Sequence, residues 1–85
     1  MYKNKSANGK NNICGVNIKI LRKNLPQKTS QKQFADTLQM HGLDLDKNAI
    51  QRIENGERFV TDIELKVFAR VLNVSMEELV IENEN

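Results

Sequence analysis

The chain is expected to fold as an all-α domain of about five short helices, and three features of the sequence carry that expectation. Ser30 with Gln33, Thr61 with Glu64 and Ser75 with Glu78 each form a capping-box pattern. In such a box the hydroxyl and the longer side chain reciprocally satisfy backbone N–H groups that a helix leaves free in its first turn. Apolar residues follow each start at spacings of three and four, the period of one helix face. Pro26, Gly42 and Gly56 fall where that periodicity lapses. With those starts and stops in place, little chain remains for a strand.

Each element has its own warrant. The first helix is expected from Ile13, with Ile18, Leu21 and Leu25 on one stripe, ending at Pro26, which cannot continue a helix. Ser30 opens the second, whose Phe34, Ala35 and Leu38 share a face up to Gly42. A connector with Leu43 and Leu45 leads to Asp46, a residue suited to cap a third helix from Lys47 to Asn55. The fourth opens at Thr61 and aligns Leu65, Phe68, Ala69 and Leu72, and the short fifth runs from Ser75 through Leu79. Residues 1–12, with Lys3, Lys5 and Lys10 among Asn, Ser and Gly, read as a disordered basic tail. Residues 13–81 form the domain, and 82–85 read as a frayed acidic end.

Composition narrows the function classes. Eighty-five residues with 39% apolar content make one core and not two. No run of 18 apolar residues spans a membrane, and the polar opening MYKNKSANGKNN is unlike a secretory signal, so a soluble cytoplasmic protein is expected. Cys14 and His41 are the single cysteine and histidine, too few for a disulfide framework or a Cys/His metal site. No supporting motif makes a catalytic pair of them, and His41 reads as a solvated loop residue. The sequence offers no nucleophile, metal cluster or phosphate loop, and neither an enzyme nor a cofactor is expected. A net charge of +2 is too weak for binding nucleic acid by bulk charge, so any such role depends on arrangement.

That arrangement appears on the third helix. At about 100° per residue from Lys47, Gln51 falls near 40°, Asn48 near 100° and Arg52 near 140°, while Ala49, Ile53 and Ile50 occupy about 200° to 300°. Lys, Asn, Gln and Arg are the donor-rich side chains that read base edges in a major groove. Acids are common nearby, at Asp36, Asp44, Asp46, Glu57 and Asp62, yet the outward arc holds none, as a surface approaching phosphates requires. Glu54 falls at the seam near 340°, where it either faces solvent or takes a partner, and Arg22 on the first helix is the candidate for a bidentate pair.

Ile18 to Arg22 (IKILR), Ser30 to Leu38 (SQKQFADTL), Ile50 to Gly56 (IQRIENG) and Asp62 to Leu79 (with ELKVFARVLNVSMEEL) resemble, in order and spacing, the phage-repressor and Cro class of helix-turn-helix proteins, the XRE family. The resemblance covers about residues 16–80. It implies a five-helix bundle in which the second and third helices bind double-stranded DNA, with Ala35 as the small residue between them. It implies base contacts from Lys47, Asn48 and Arg52, to which the exposed Gln51 is added. Phosphate contacts fall on Gln31, with Lys28 and Lys32 nearby, and on Asn55, Gly56 and Arg58 in the loop after the third helix. The Arg22–Glu54 pair between the first and third helices also matches the class. One departure is an extended turn: MHGLDLDK between the second and third helices is about five residues longer than usual for the family.

The reading is therefore a sequence-specific transcriptional regulator, a repressor in the first instance, acting as a homodimer because one such domain spans a half-site. Val80 and Ile81, with Val67 and Val71, form a candidate dimer surface, or are equally part of the core. The rival reading is a protein-interaction module of the same fold that docks a protein partner such as a toxin.

Overall fold

The structure, a computed structural model, describes residues 9–82. In chain order it contains α1 (Cys14–Lys23), α2 (Gln31–Met40), α3 (Lys47–Glu54), α4 (Asp62–Leu72) and α5 (Met76–Val80), and no strand among the described residues.

All three capping boxes form with both halves present. At Ser30, Oγ accepts from the Gln33 N–H at 3.1 Å while Gln33 Oε1 accepts from the Ser30 N–H at 2.9 Å. Asp46 caps α3, its Oδ1 accepting from the Ala49 N–H at 2.8 Å. α2 and α3 end on glycines with left-handed backbone, Gly42 (φ 86°) and Gly56 (φ 79°). Each lets the chain reverse so that the following N–H bonds back into the helix: Leu43 to the Leu38 carbonyl at 3.0 Å, Glu57 to the Arg52 carbonyl at 2.8 Å.

Two boundaries differ from expectation. α1 stops at Lys23, short of Pro26. The proline ring disfavours helical backbone at the residue before it, and Leu25 keeps only a tight-turn bond to the Arg22 carbonyl at 3.3 Å. Leu25 still packs, half-buried, against the core. At the other end the folded unit begins before residue 13. Asn11 and Asn12, assigned to a tail, are hydrogen-bonded to the segment after α3, and Lys10 lies with its methylenes against Gly56. Lys3, Lys5 and the final residues 83–85 lie outside the described part.

Ile18, Phe34, Leu38, Ile50, Ile53, Phe68 and Leu79 are fully buried, one or two from every helix, and each such side chain stabilises the fold by about 1.5–3 kcal/mol. The rings of Phe34 and Phe68 stack with centroids 5.9 Å apart, joining α2 to α4. The longer link between α2 and α3 does not project as a free loop. Leu45 is only 5% exposed and forms part of the core, so the chain folds back on itself before Asp46 starts α3.

Candidate nucleic-acid interface

α3 presents two unlike faces. Ile50 and Ile53 are buried and Ala49 half-buried, whereas Lys47, Asn48, Gln51 and Arg52 are all exposed. None of those four side chains is engaged in a hydrogen bond or ion pair with another described residue. Their donors are consequently available to an external partner, on a face that carries no acidic residue of α3.

Glu54, at the seam between those faces, is buried and meets Arg22, itself buried. Arg22 Nε donates to Glu54 Oε2 at 2.7 Å and Nη2 to Oε1 at 3.0 Å, a two-pronged match of guanidinium to carboxylate. The third nitrogen, Nη1, donates to the Thr29 carbonyl at 2.8 Å, and Gln31 Nε2 donates to Glu54 Oε1 at 2.9 Å. The network ties α1, the α1–α2 link, the start of α2 and the end of α3 to one carboxylate. The Gln31 amide, expected at phosphate, also serves as a strut to Glu54, which leaves its second Nε2 hydrogen uncommitted to that carboxylate.

Arg58, in the loop after α3, is also paired within the chain. Its Nη1 and Nη2 donate to Glu64 Oε1 and Oε2 at 2.9 and 3.0 Å, and Nη1 also to the Phe59 carbonyl at 3.0 Å. Glu64 meanwhile accepts from the Thr61 N–H at 3.0 Å as half of the α4 capping box. The Arg58 guanidinium holds the Glu64 carboxyl below the usual glutamate range, chiefly by direct hydrogen bonding, and the carboxylate in turn raises the Arg58 pKa. A cation expected to reach phosphate is thus neutralised by a partner six residues away, and the loop gains rigidity in place of net charge.

Of the other residues expected at the DNA backbone, Lys28 and Lys32 border a groove at the α1–α2 corner together with Ser30 and Lys23. Lys32 touches Asp36 at 3.3 Å, but both side chains are largely exposed, so the contact is weak and readily exchanged. Asn55 is exposed and Gly56 buried beneath Lys10. Among the described residues no cluster of His, Cys, Asp and Glu is arranged to hold a metal, and no helix is long and apolar enough to cross a membrane. The Cys14 thiol is buried, and desolvation pushes its pKa up to about 11.

Two successive helices, α2 and α3, packed across a turn with the polar face of the second turned to solvent, define a helix-turn-helix domain. A family model described as Helix-turn-helix (HTH_3) matches residues 18–79. The chain belongs to this family, in its XRE branch, whose members are DNA-binding regulators and not a family of enzymes. No curated protein and no solved structure matches the chain.

Sequence reasoning missed the strap formed by Asn11 and Asn12. A signal was present, since Asn is a favoured residue just before a helix, and Asn12 Oδ1 does accept from the Gly15 N–H at 2.8 Å. The Arg58–Glu64 pair was hidden because Glu64 was already assigned to its capping box.

Proposed function

We propose that the protein is a sequence-specific DNA-binding transcriptional regulator that inserts α3 into the major groove, with Lys47, Asn48, Gln51 and Arg52 at the base edges. The observation that carries this reading is the exposed face of α3, which holds no acidic residue of that helix and whose four donor-bearing side chains lack partners among the described residues. Lys28 and Lys32, beside the start of α2, and Asn55, beyond the end of α3, flank that face and supply backbone contacts that orient the helix without reading sequence. Occupying a promoter with such a domain blocks access by itself, so repression is the simplest output, in a cytoplasm where Cys14 stays reduced.

Two copies bind a palindromic site with their α3 helices about 34 Å apart, one turn of DNA. Val80 and Ile81 support this, being 36% and 51% exposed. Val67 and Val71 are half-buried against the core, so their share in the contact is small.

Selection of bound sequences from random DNA at two salt concentrations tests the reading. The expected result is a two-fold symmetric consensus. On the selected duplex Arg52→Ala should cost about 1–3 kcal/mol and relax preference at one base pair, with little change on random DNA. An equal loss on both duplexes would remove base reading from α3, and a chain that stays monomeric on the palindrome would remove the dimer.

A further inference from the structure

The chain just before α1 is fastened to the far end of α3. The Asn12 carboxamide uses both of its ends there: Nδ2 donates to the Ile53 carbonyl at 3.1 Å and to the Arg58 carbonyl at 2.7 Å, while Oδ1 accepts from the Gly15 N–H. Asn11 adds its backbone N–H to the Gly56 carbonyl at 2.8 Å and its Nδ2 to the Glu57 carbonyl at 2.9 Å. Asn11 Oδ1 is buried without a partner, so the strap is kept despite an unsatisfied acceptor.

α3 does not need this strap in order to terminate. The Gly56 N–H already donates to the Ile53 carbonyl at 3.0 Å, and the reversal at Gly56 closes through the Glu57 N–H on the Arg52 carbonyl. What the strap adds is location. A Cβ on Gly15 would collide with the Ile53 carbonyl oxygen, so the start of α1 and the end of α3 approach more closely than any larger residue permits. That approach brings Asn12 within reach of both carbonyls. The Arg58 N–H bonds to the Arg52 carbonyl at 3.3 Å, and the Arg58 carbonyl is held by Asn12, so the backbone of Arg52 sits one residue from the anchor. At its front, α3 is held by the Asp46 cap at the end of a lengthened link.

We infer that Asn12 is a positioning residue for base readout: it fixes the last turn of α3, and with it Arg52, at a set depth relative to the rest of the domain. The inference rests on the reading of α3 as the base-contacting helix.

The test uses Asn12→Ser and Asn12→Asp. Both keep an oxygen to accept from Gly15 and so preserve the start of α1; aspartate has no donor and serine a single O–H, so neither can bridge the Ile53 and Arg58 carbonyls as the carboxamide does. Affinities for the duplex selected by the wild-type chain and for a scrambled duplex are measured alongside thermal melts. Selectivity should fall about tenfold in both variants, on the scale of one base contact, while the uncharged Asn12→Ser keeps its affinity for the scrambled duplex and its salt slope. Folded variants with a lowered Tm and intact selectivity would show that Asn12 merely stabilises and would overturn the inference alone. A wild-type chain that prefers no sequence would overturn the base-reading proposal as well. On the unaltered chain, NMR exchange of the Asn12 side-chain amide gives a measurement independent of any variant. Slow exchange in the DNA complex is expected, and fast exchange there would mean that the strap lets go and sets nothing.

Discussion

Arg22 meets Glu54 through Nε and Nη2 and Arg58 meets Glu64 through Nη1 and Nη2, both two-pronged contacts, yet the side chains of the first pair are 8% and 1% exposed and those of the second 32% and 12%. The difference separates two uses of one chemical motif. Inside, water cannot replace a lost partner, so the Arg22 pair is a rivet whose two halves depend on each other. At the surface, solvent takes over much of what a partner gives, and the Arg58 pair chiefly fixes a loop and cancels a charge.

Breaking the buried pair should have the largest effect. Arg22→Ala leaves Glu54 with Gln31 as its remaining side-chain donor and should destabilise the protein by about 3–5 kcal/mol in urea unfolding, a large part of a small domain's total. Pairing Arg22→Met with Glu54→Leu should recover most of that loss, because the stranded charge is gone. A double variant as unstable as the single one would show that the hydrogen bonds to Thr29 and Gln31, not the buried charge, carry the cost.

The outer pair should respond more mildly. Arg58→Ala is expected to cost about 0.5–1 kcal/mol, with the Thr61 capping box intact. Acid sharpens the contrast. The folded-state pKa of Glu64 lies below its unfolded value, so the pair's contribution is complete above the ordinary glutamate pKa of about 4.3 and disappears as pH falls through the lowered one. The stability gap between wild type and Arg58→Ala should therefore hold steady from about pH 7 to 5 and close below about pH 4. A gap that widens in acid would reverse this assignment.

On DNA the same pair makes an opposite prediction to the one expected of a free cation. Glu64→Gln releases the charge of Arg58 and should steepen the salt dependence of binding by about one unit, raising affinity for all sequences alike. An unchanged slope would mean that Arg58 does not face phosphate even when uncoupled. Smallest of all, Lys32→Ala should alter stability by less than about 0.5 kcal/mol, since its contact with Asp36 is largely open to solvent.

Much of the fold was legible from local chemistry. The capping boxes, the Asp46 cap and the glycine stops are each written within a few consecutive residues, so periodicity and capping rules find them directly. The two faces of α3 were readable for the same reason. Side chains that reach across the chain were less so. Gln31 and Arg58 are polar residues in exposed settings by sequence, and only the fold shows that Glu54 and Glu64 stand within hydrogen-bond reach of them. The Asn11–Asn12 strap spans more than forty residues of sequence, as in the bond from Asn12 to Ile53, and no periodic pattern records it. Leu45 is the intermediate case: an apolar residue in a connector, its burial settled by the space left between helices.

The single cysteine of this protein has a practical consequence. A thiol sealed among core side chains and titrating near 11 remains protonated, and hence unreactive, at neutral pH. A second cysteine placed at Gln51 would consequently take a maleimide dye by itself, giving a fluorescent reporter on the very surface proposed to enter the groove, without first engineering the native chain.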